Sequence, residues 1–295
     1  MKLTIVAAAL SAALLCVAGT SANVQARVPA AVLAQAELSM LVKGKLDVAA
    51  DGKVTAMRVE DESHYPAGIM NFVRNAVMAW EFEQVLRDGA AVPFTTPMNL
   101  RLVARQAAEG TFDVRIAHQS FRSYDQSDRR AVRSSSMAPP RYPEGAWRSG
   151  MTGTVYLALQ VGLDGKVMEV AARQVDLTRG GREREMQRAR EILATASIQA
   201  ARNWQFSAPE EGPAHADGSW VVTVPVTFSL AYSSSPSQTP AAAQGVGRWQ
   251  PYIPGPRLFV PFLQEGQDDF NTAMAAGEVY MSGQQGAKLK TPLRG

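Results

Sequence analysis

An α+β architecture of two tandem small modules is expected, each a three-stranded antiparallel sheet (a hairpin plus an edge strand) covered by one helix. A repeated set of landmarks, Asp-Gly turns between alternating apolar runs, and a switch from period two to period 3.6 after each hairpin carry this expectation. The first copy runs Gly44-Lys45-Leu46-Asp47-Val48-Ala49-Ala50-Asp51-Gly52-Lys53-Val54, then Trp80-Glu81-Phe82, then Pro97-Met98-Asn99-Leu100. The second runs Gly153-Thr154-Val155 to Asp164-Gly165-Lys166-Val167, then Trp204-Gln205-Phe206, then Pro225-Val226-Thr227-Phe228. The copies are offset by 113 residues at Asp51/Asp164, 124 at Trp80/Trp204 and 128 at Pro97/Pro225, so an extra 11 residues fall between hairpin and Trp in the second.

Each landmark has a physical meaning. Val155, Leu157, Leu159 and Val161 alternate into Asp164-Gly165, the preferred pair for a tight turn with positive φ, and Leu46, Val48, Asp51-Gly52, Val54, Met57 and Val59 repeat the logic. Met186, Ala189, Leu193, Ala196, Ala200 and Trp204 then recur at three and four, with arginines and glutamates of 182–191 filling the other face, which predicts an amphipathic helix of five to six turns. Ile69, Phe72, Val73, Ala76 and Trp80 mark a shorter version, and the longer helix is expected to overhang its sheet. Val221 to Leu230 and Phe94 to Val103 each carry an internal proline, which cannot donate to a ladder and so predicts an edge strand with the missing N–H turned outward. The helix-free face of each sheet must then be solvated or docked.

The chain divides into 1–26 as a leader, 27–104 and 138–232 as the two units, 105–137 as a linker with one candidate strand at Phe112, Val114 and Ile116, 233–247 as a Ser/Pro/Ala/Gly linker, and 248–295 as a proline- and aromatic-rich tail. Residues 1–26 have the layout of a secretory signal peptide: Lys2, an apolar run from Leu3 to Val17, and small residues leading to cleavage after Ala26. The run is shorter than the roughly 20 residues that span a bilayer, and Leu15 is a poor neighbour for lipid attachment at Cys16. Cleavage removes the only cysteine, so neither a disulfide nor a thiolate site is expected in the exported chain, which suits a bacterial periplasm.

With 46% hydrophobic and 19% charged residues the chain has material for ordinary cores, and a disordered chain is excluded. The pI near 9.1 reflects a net charge of only +3, spread so that no region has the field that nucleic acid requires. His64, His118 and His215 are dispersed, and no Walker, dinucleotide or nucleophile-elbow motif occurs. Neither catalysis nor a cofactor or metal is expected. Trp80/Phe82 and Trp204/Phe206 are expected in the core, and Asp51 and Asp164 as turn formers.

Pro140-Arg141-Tyr142-Pro143-Glu144-Gly145-Ala146, Gly150-Met151-Thr152-Gly153, Asp164-Gly165-Lys166-Val167, Ala200-Ala201-Arg202-Asn203-Trp204-Gln205-Phe206 and Val224-Pro225-Val226-Thr227-Phe228 together resemble the C-terminal domain of the TonB family over 138–232. Residues 38–104 resemble a degenerate second copy lacking the Tyr-Pro-x-x-Ala opening. The resemblance implies a periplasmic module that binds outer-membrane transporters, or other envelope proteins, by adding their strand to its third strand. Carried onto this chain, the docking residues are Val222, Thr223, Val224, Pro225, Val226, Thr227 and Phe228, with Tyr142 beside them. Tyr142-Pro143 also suits the fixed start of a helical turn. A full energy transducer of the family has an uncleaved membrane helix and a long proline-rich spacer; this chain has a short leader and a second module instead. The alternatives are a structural envelope protein whose edges are self-covered, with self-association through them, and a short membrane-anchored transducer.

Overall fold

The computed structural model describes residues 3–6, 30–122, 124–210, 218–230, 246–263, 270–282 and 286–291. Residues 231–245, most of the expected second linker, and all of 1–26 except 3–6 lie outside these. Among the described residues no helix is long and apolar enough to cross a membrane.

Two cores form. In the first unit β2 (Glu37–Val48) is central, pairing antiparallel with β3 (Val54–Val59) beyond the Asp51-Gly52 turn and with β6 (Phe94–Ala108) along its other side. Leu38, Met40, Val42, Leu46 and Val48 alternate onto the face covered by α2 (Ala67–Val77), whose Ile69, Met70, Phe72, Val73 and Val77 are buried with them. Short strands β4 (Val85–Arg87) and β5 (Ala90–Val92) form an exposed hairpin around Asp88-Gly89, between α2 and β6. In the second unit β9 (Gly153–Val161) lies between β10 (Val167–Leu177) and β12 (Trp220–Phe228). Its core is closed by α4 (Glu183–Ala201) through Met186, Ala189, Leu193, Ser197 and Ala201.

From Ala189 onward the buried residues of α4 are spaced by four, at Leu193, Ser197 and Ala201, in place of the expected Ala196 and Ala200; four residues exceed a 3.6-residue turn, so the buried stripe drifts around the helix axis. Ser197, placed in the core, donates to the Leu193 carbonyl at 2.9 Å, which satisfies its hydroxyl. α4 is 19 residues long and α2 is 11, so most of the inserted length is helical. Arg190 of α4 donates to the carbonyls of Val175 on β10 and Pro254 of the tail.

The two hairpins match in their hydrogen bonds. Gly52 N–H donates to Ala49 and Gly165 N–H to Gly162, both at 2.9 Å; Lys53 and Lys166 N–H donate to the carboxylates of Asp51 and Asp164, both at 3.0 Å. Phe82 N–H then donates to the Gly52 carbonyl and Phe206 N–H to that of Gly165, both at 2.8 Å. A Cβ on Gly52 would meet the Phe82 carbonyl oxygen at 2.3 Å, and one on Gly165 the Phe206 oxygen at 1.8 Å, so glycine is required by approach as well as by its positive φ. Trp80, Phe82, Trp204 and Phe206 are core residues, as expected.

Three expectations need correction. β6 is not an edge: β7 (Thr111–Ser120), the strand anticipated at Phe112, Val114 and Ile116, pairs with it from Asn99 to Ala108. Pro97 lies just outside that pairing, so its missing N–H breaks no ladder there. β12 is not a terminal strand either, because β14 (Tyr280–Met281) of the tail pairs with it. The sheets therefore exceed three strands, with orders β1-β7-β6-β2-β13 (β3 also on β2) and β10-β9-β12-β14. Here β1 is Leu3–Val6, paired antiparallel with Val114 to Thr111 inside the expected leader.

Finally, the tail is not a separate appendage. Its β13 (Gln250–Tyr252) pairs with Glu37 to Ser39, Ile253 exchanges two backbone bonds with Leu177, and Leu289 packs on the first core. The linker also supplies β8 (Arg133–Ser136), paired with β11 (Gln205–Ser207), and a short α1 (Ala30–Leu33) and α3 (Glu144–Arg148) complete the chain.

Two glycines separate backbone strain from steric approach. Gly89→Ala, at φ +81° with nothing within 4 Å of its Cβ, is expected to cost about 1 kcal/mol. Gly165→Ala should cost at least about 3 kcal/mol, because the Phe206 strand must also shift. Urea unfolding of both variants checks the ranking; equal losses contradict it.

Candidate docking edge

β12 alternates its side chains and its backbone groups. Val222, Val224, Val226 and Phe228 face the second core, whereas Val221 and Thr223 are buried on the opposite face. The carbonyls of Val221 and Pro225 point away from β9, accepting from Ser282 N–H at 2.8 Å and Gly277 N–H at 2.9 Å. Odd-numbered residues therefore turn their backbone groups outward, and the N–H that Pro225 lacks is an outward one, as expected for proline in such a strand.

The tail covers part of this outer side. Met281 stands opposite Val222 and Tyr280 opposite Thr223, and among the described residues the last backbone bond from the tail is to Pro225. Gly277, with φ +78°, then turns the chain away. Among the described residues no backbone hydrogen bond reaches the outward groups of Thr227 from the tail. Thr227 is also the exposed residue of the strand, its hydroxyl 3.1 Å from that of Thr154.

Tyr142 stands at this same end. Its ring packs edge-on against Phe228 with centroids 5.2 Å apart, its hydroxyl donates to the Met151 carbonyl, and burial pushes it up to about 12. Of the anticipated residues, Tyr142 and Phe228 are thus brought together, Thr227 is open, and Val222 to Pro225 lie along the stretch the tail occupies.

The residues that hold the tail there were not anticipated. Lys43 Nζ is 2.6 Å from Glu278 Oε1, Glu278 accepts from the Tyr280 hydroxyl, and Arg122 donates to the Met281 carbonyl at 3.0 Å. Their sequence context carries no signal, since each pairs residues more than 150 positions apart except the Glu278–Tyr280 contact within the tail.

Behind the edge, the helix-free faces of the two sheets meet. Arg101 on β6 donates to Ser39 Oγ at 3.0 Å, to the Tyr156 hydroxyl on β9 at 3.1 Å and to the tail carbonyl of Thr272 at 2.6 Å. Phe270 packs edge-on against Tyr156, with the guanidinium groups of Arg173 and Arg257 at 4.5 and 4.9 Å from its centroid. A cavity of about 260 Å³ opens here, lined in part by Glu37, His118, Asp176 and Tyr252. Burial, with Arg101, Arg115 and Arg257 nearby, holds the His118 imidazole down at about 4, and burial raises the Asp176 carboxyl. Among the described residues no three His, Cys, Asp or Glu side chains are placed to hold a metal ion.

Two proteins named Protein TonB, from Xanthomonas campestris pv. campestris strains B100 and ATCC 33913, are each 34% identical to this chain over 99 residues. The chain carries a TonB-like region. That similarity takes in 34% of the chain and 38% of each relative's length. No family model matches the chain, and no solved structure does.

His118 gives the site a pH signature. Its folded value lies below the ordinary 6.5, so the unfolded chain binds more protons between about 4 and 6.5. Stability is expected to fall as pH drops through that window and to level off for this group below it, by a total on the order of 3 kcal/mol. In His118→Gln the slope between pH 6.5 and 4 flattens; chemical denaturation across that range measures it, and an unchanged slope rejects the assignment.

Proposed function

We propose that this protein is an exported, non-catalytic TonB-like envelope protein that binds an outer-membrane transporter or another envelope protein by strand addition to the outer side of β12. The observation that carries the reading is the state of that side: a two-residue strand covers its beginning, and Thr227 and Phe228 extend beyond the cover beside Tyr142. Main-chain hydrogen bonds would supply affinity, and the outward groups of Thr227 offer the first contact. Val222, Thr223, Val224, Pro225, Val226, Thr227, Phe228 and Tyr142 form the docking set. The similarity to proteins named TonB supports a link to energy-dependent transport across the envelope. Cleavage after Ala26 and a periplasmic location belong to the same proposal; cleavage would also take β1 off the edge of β7.

A second reading, a structural envelope protein with self-covered edges, is favoured by one observation: Tyr280 and Met281 already pair with β12, and Gly277 and Ser282 donate to its outward carbonyls. Peptide titration separates the two. Extended peptides from transporter N-termini, added at millimolar concentration, should shift the Thr227 and Phe228 amide resonances, and Thr227→Pro, which removes an outward donor, should weaken binding about tenfold or more. Absence of any shift between residues 223 and 230 favours the structural reading. Mass spectrometry of the exported protein should find Arg27 at its N-terminus; an intact leader indicates a membrane-anchored transducer.

A further inference from the structure

The two proline strands are covered very unequally. The outer side of β6 is closed by β7 from Asn99 to Ala108, joined through the short turn at Glu109-Gly110. Among the described residues the outer side of β12 is paired by Tyr280 and Met281, with single bonds from Gly277 and Ser282 beside them. Such a short ladder adds little stability by itself, and the bonds that hold it come from elsewhere.

They come from the first unit. Lys43 on β2 pairs with Glu278, Arg122 beyond β7 donates to the Met281 carbonyl, Arg101 on β6 donates to the Thr272 carbonyl, and Asn271 donates to the Gln119 carbonyl of β7. Met281 stands in a pair whose backbone groups point away from β12, and Arg122 occupies that outward carbonyl. The tail strand is thus gripped on its far side by the sheet of one unit while it pairs with the sheet of the other.

The strand also shows which peptide the edge accepts. Val279 is buried in the second core and Met281 packs against it, so positions i and i+2 are apolar and face α4. Tyr280 between them is buried on the other face, with its hydroxyl engaged by Glu278.

We propose that residues 277–282 are a resident ligand of β12, clasped by the first unit, and that a partner strand of matching chemistry gains the edge by exchanging with them. The proposal rests on the strand-addition reading. The exchange begins at the open groups of Thr227 and proceeds toward Val221 as the tail is displaced. Binding to the intact chain is then weaker than intrinsic binding by the fraction of molecules whose edge is open.

A fluorescent peptide of residues 275–283, followed by anisotropy against the full chain, probes this directly. Ser282→Pro removes the donor to the Val221 carbonyl, and Lys43→Ala removes the clasp to Glu278. Each should tighten peptide binding, about tenfold or more for the double substitution. Val222→Cys with Met281→Cys, in a Cys16→Ser background, should abolish binding when oxidised and restore it on reduction, a reversal that misfolding would not produce. Equal affinity for the wild type, the double variant and the oxidised chain overturns the proposal. Transporter peptides that bind the oxidised chain as well as the reduced one overturn the exchange too, while leaving transporter binding standing. Tail-peptide binding that follows the expected order, with no transporter peptide bound by any variant, supports the exchange and defeats the proposed partner class.

Discussion

A strand committed to β9 on one side must satisfy the peptide groups on its other side, and the second unit is organised around how β12 does so. Water, a partner or the chain itself can supply the missing bonds. Here the chain supplies some of them. Pro225 reduces the demand by removing one outward donor, and Gly277 and Ser282 satisfy the carbonyls around it. The first unit meets the same constraint at β6 with a complete neighbouring strand. The two units share a hairpin, helix and proline strand and differ in how fully the outer side of that strand is paired.

The helix-free faces impose a second demand. Neither sheet leaves its back to solvent: Val103, Tyr156 and Val221 are buried without belonging to either core, and Arg101 links Ser39, Tyr156 and Thr272 across the gap. An arginine suits this place because its fork can reach three acceptors in different directions. The tail passes through the same region with Phe270 and Thr272, so docking of the units and placement of β14 depend on one set of contacts.

Local pattern and distant pairing were unequally legible in the sequence. Hairpins, the Asp-Gly turns, the Trp-x-Phe segments and both helices follow from residue types a few positions apart, and they stand where period and turn chemistry place them. β14 does not, because two residues inside Gly277-Glu278-Val279-Tyr280-Met281-Ser282 show no alternation long enough to register, and their partner lies over fifty residues away. The proline rule misplaced β6 for a related reason. Proline requires only that its own N–H go unused, and β7 meets that requirement by starting to pair at Asn99. Tyr142 packs against Phe228, and in the sequence only the family resemblance pointed to that neighbourhood; the clasp of Lys43, Arg101 and Arg122 was invisible because a lone cation announces no partner.

The paired bonds from Phe82 to Gly52 and from Phe206 to Gly165 also explain how two units can hold the same hairpin-to-helix geometry with helices of 11 and 19 residues. They act as a buckle between the hairpin tip and the segment that leaves the helix, fixing where the strap returns and leaving its length free. Whole turns can be added to such a helix while both ends of the connection stay in place.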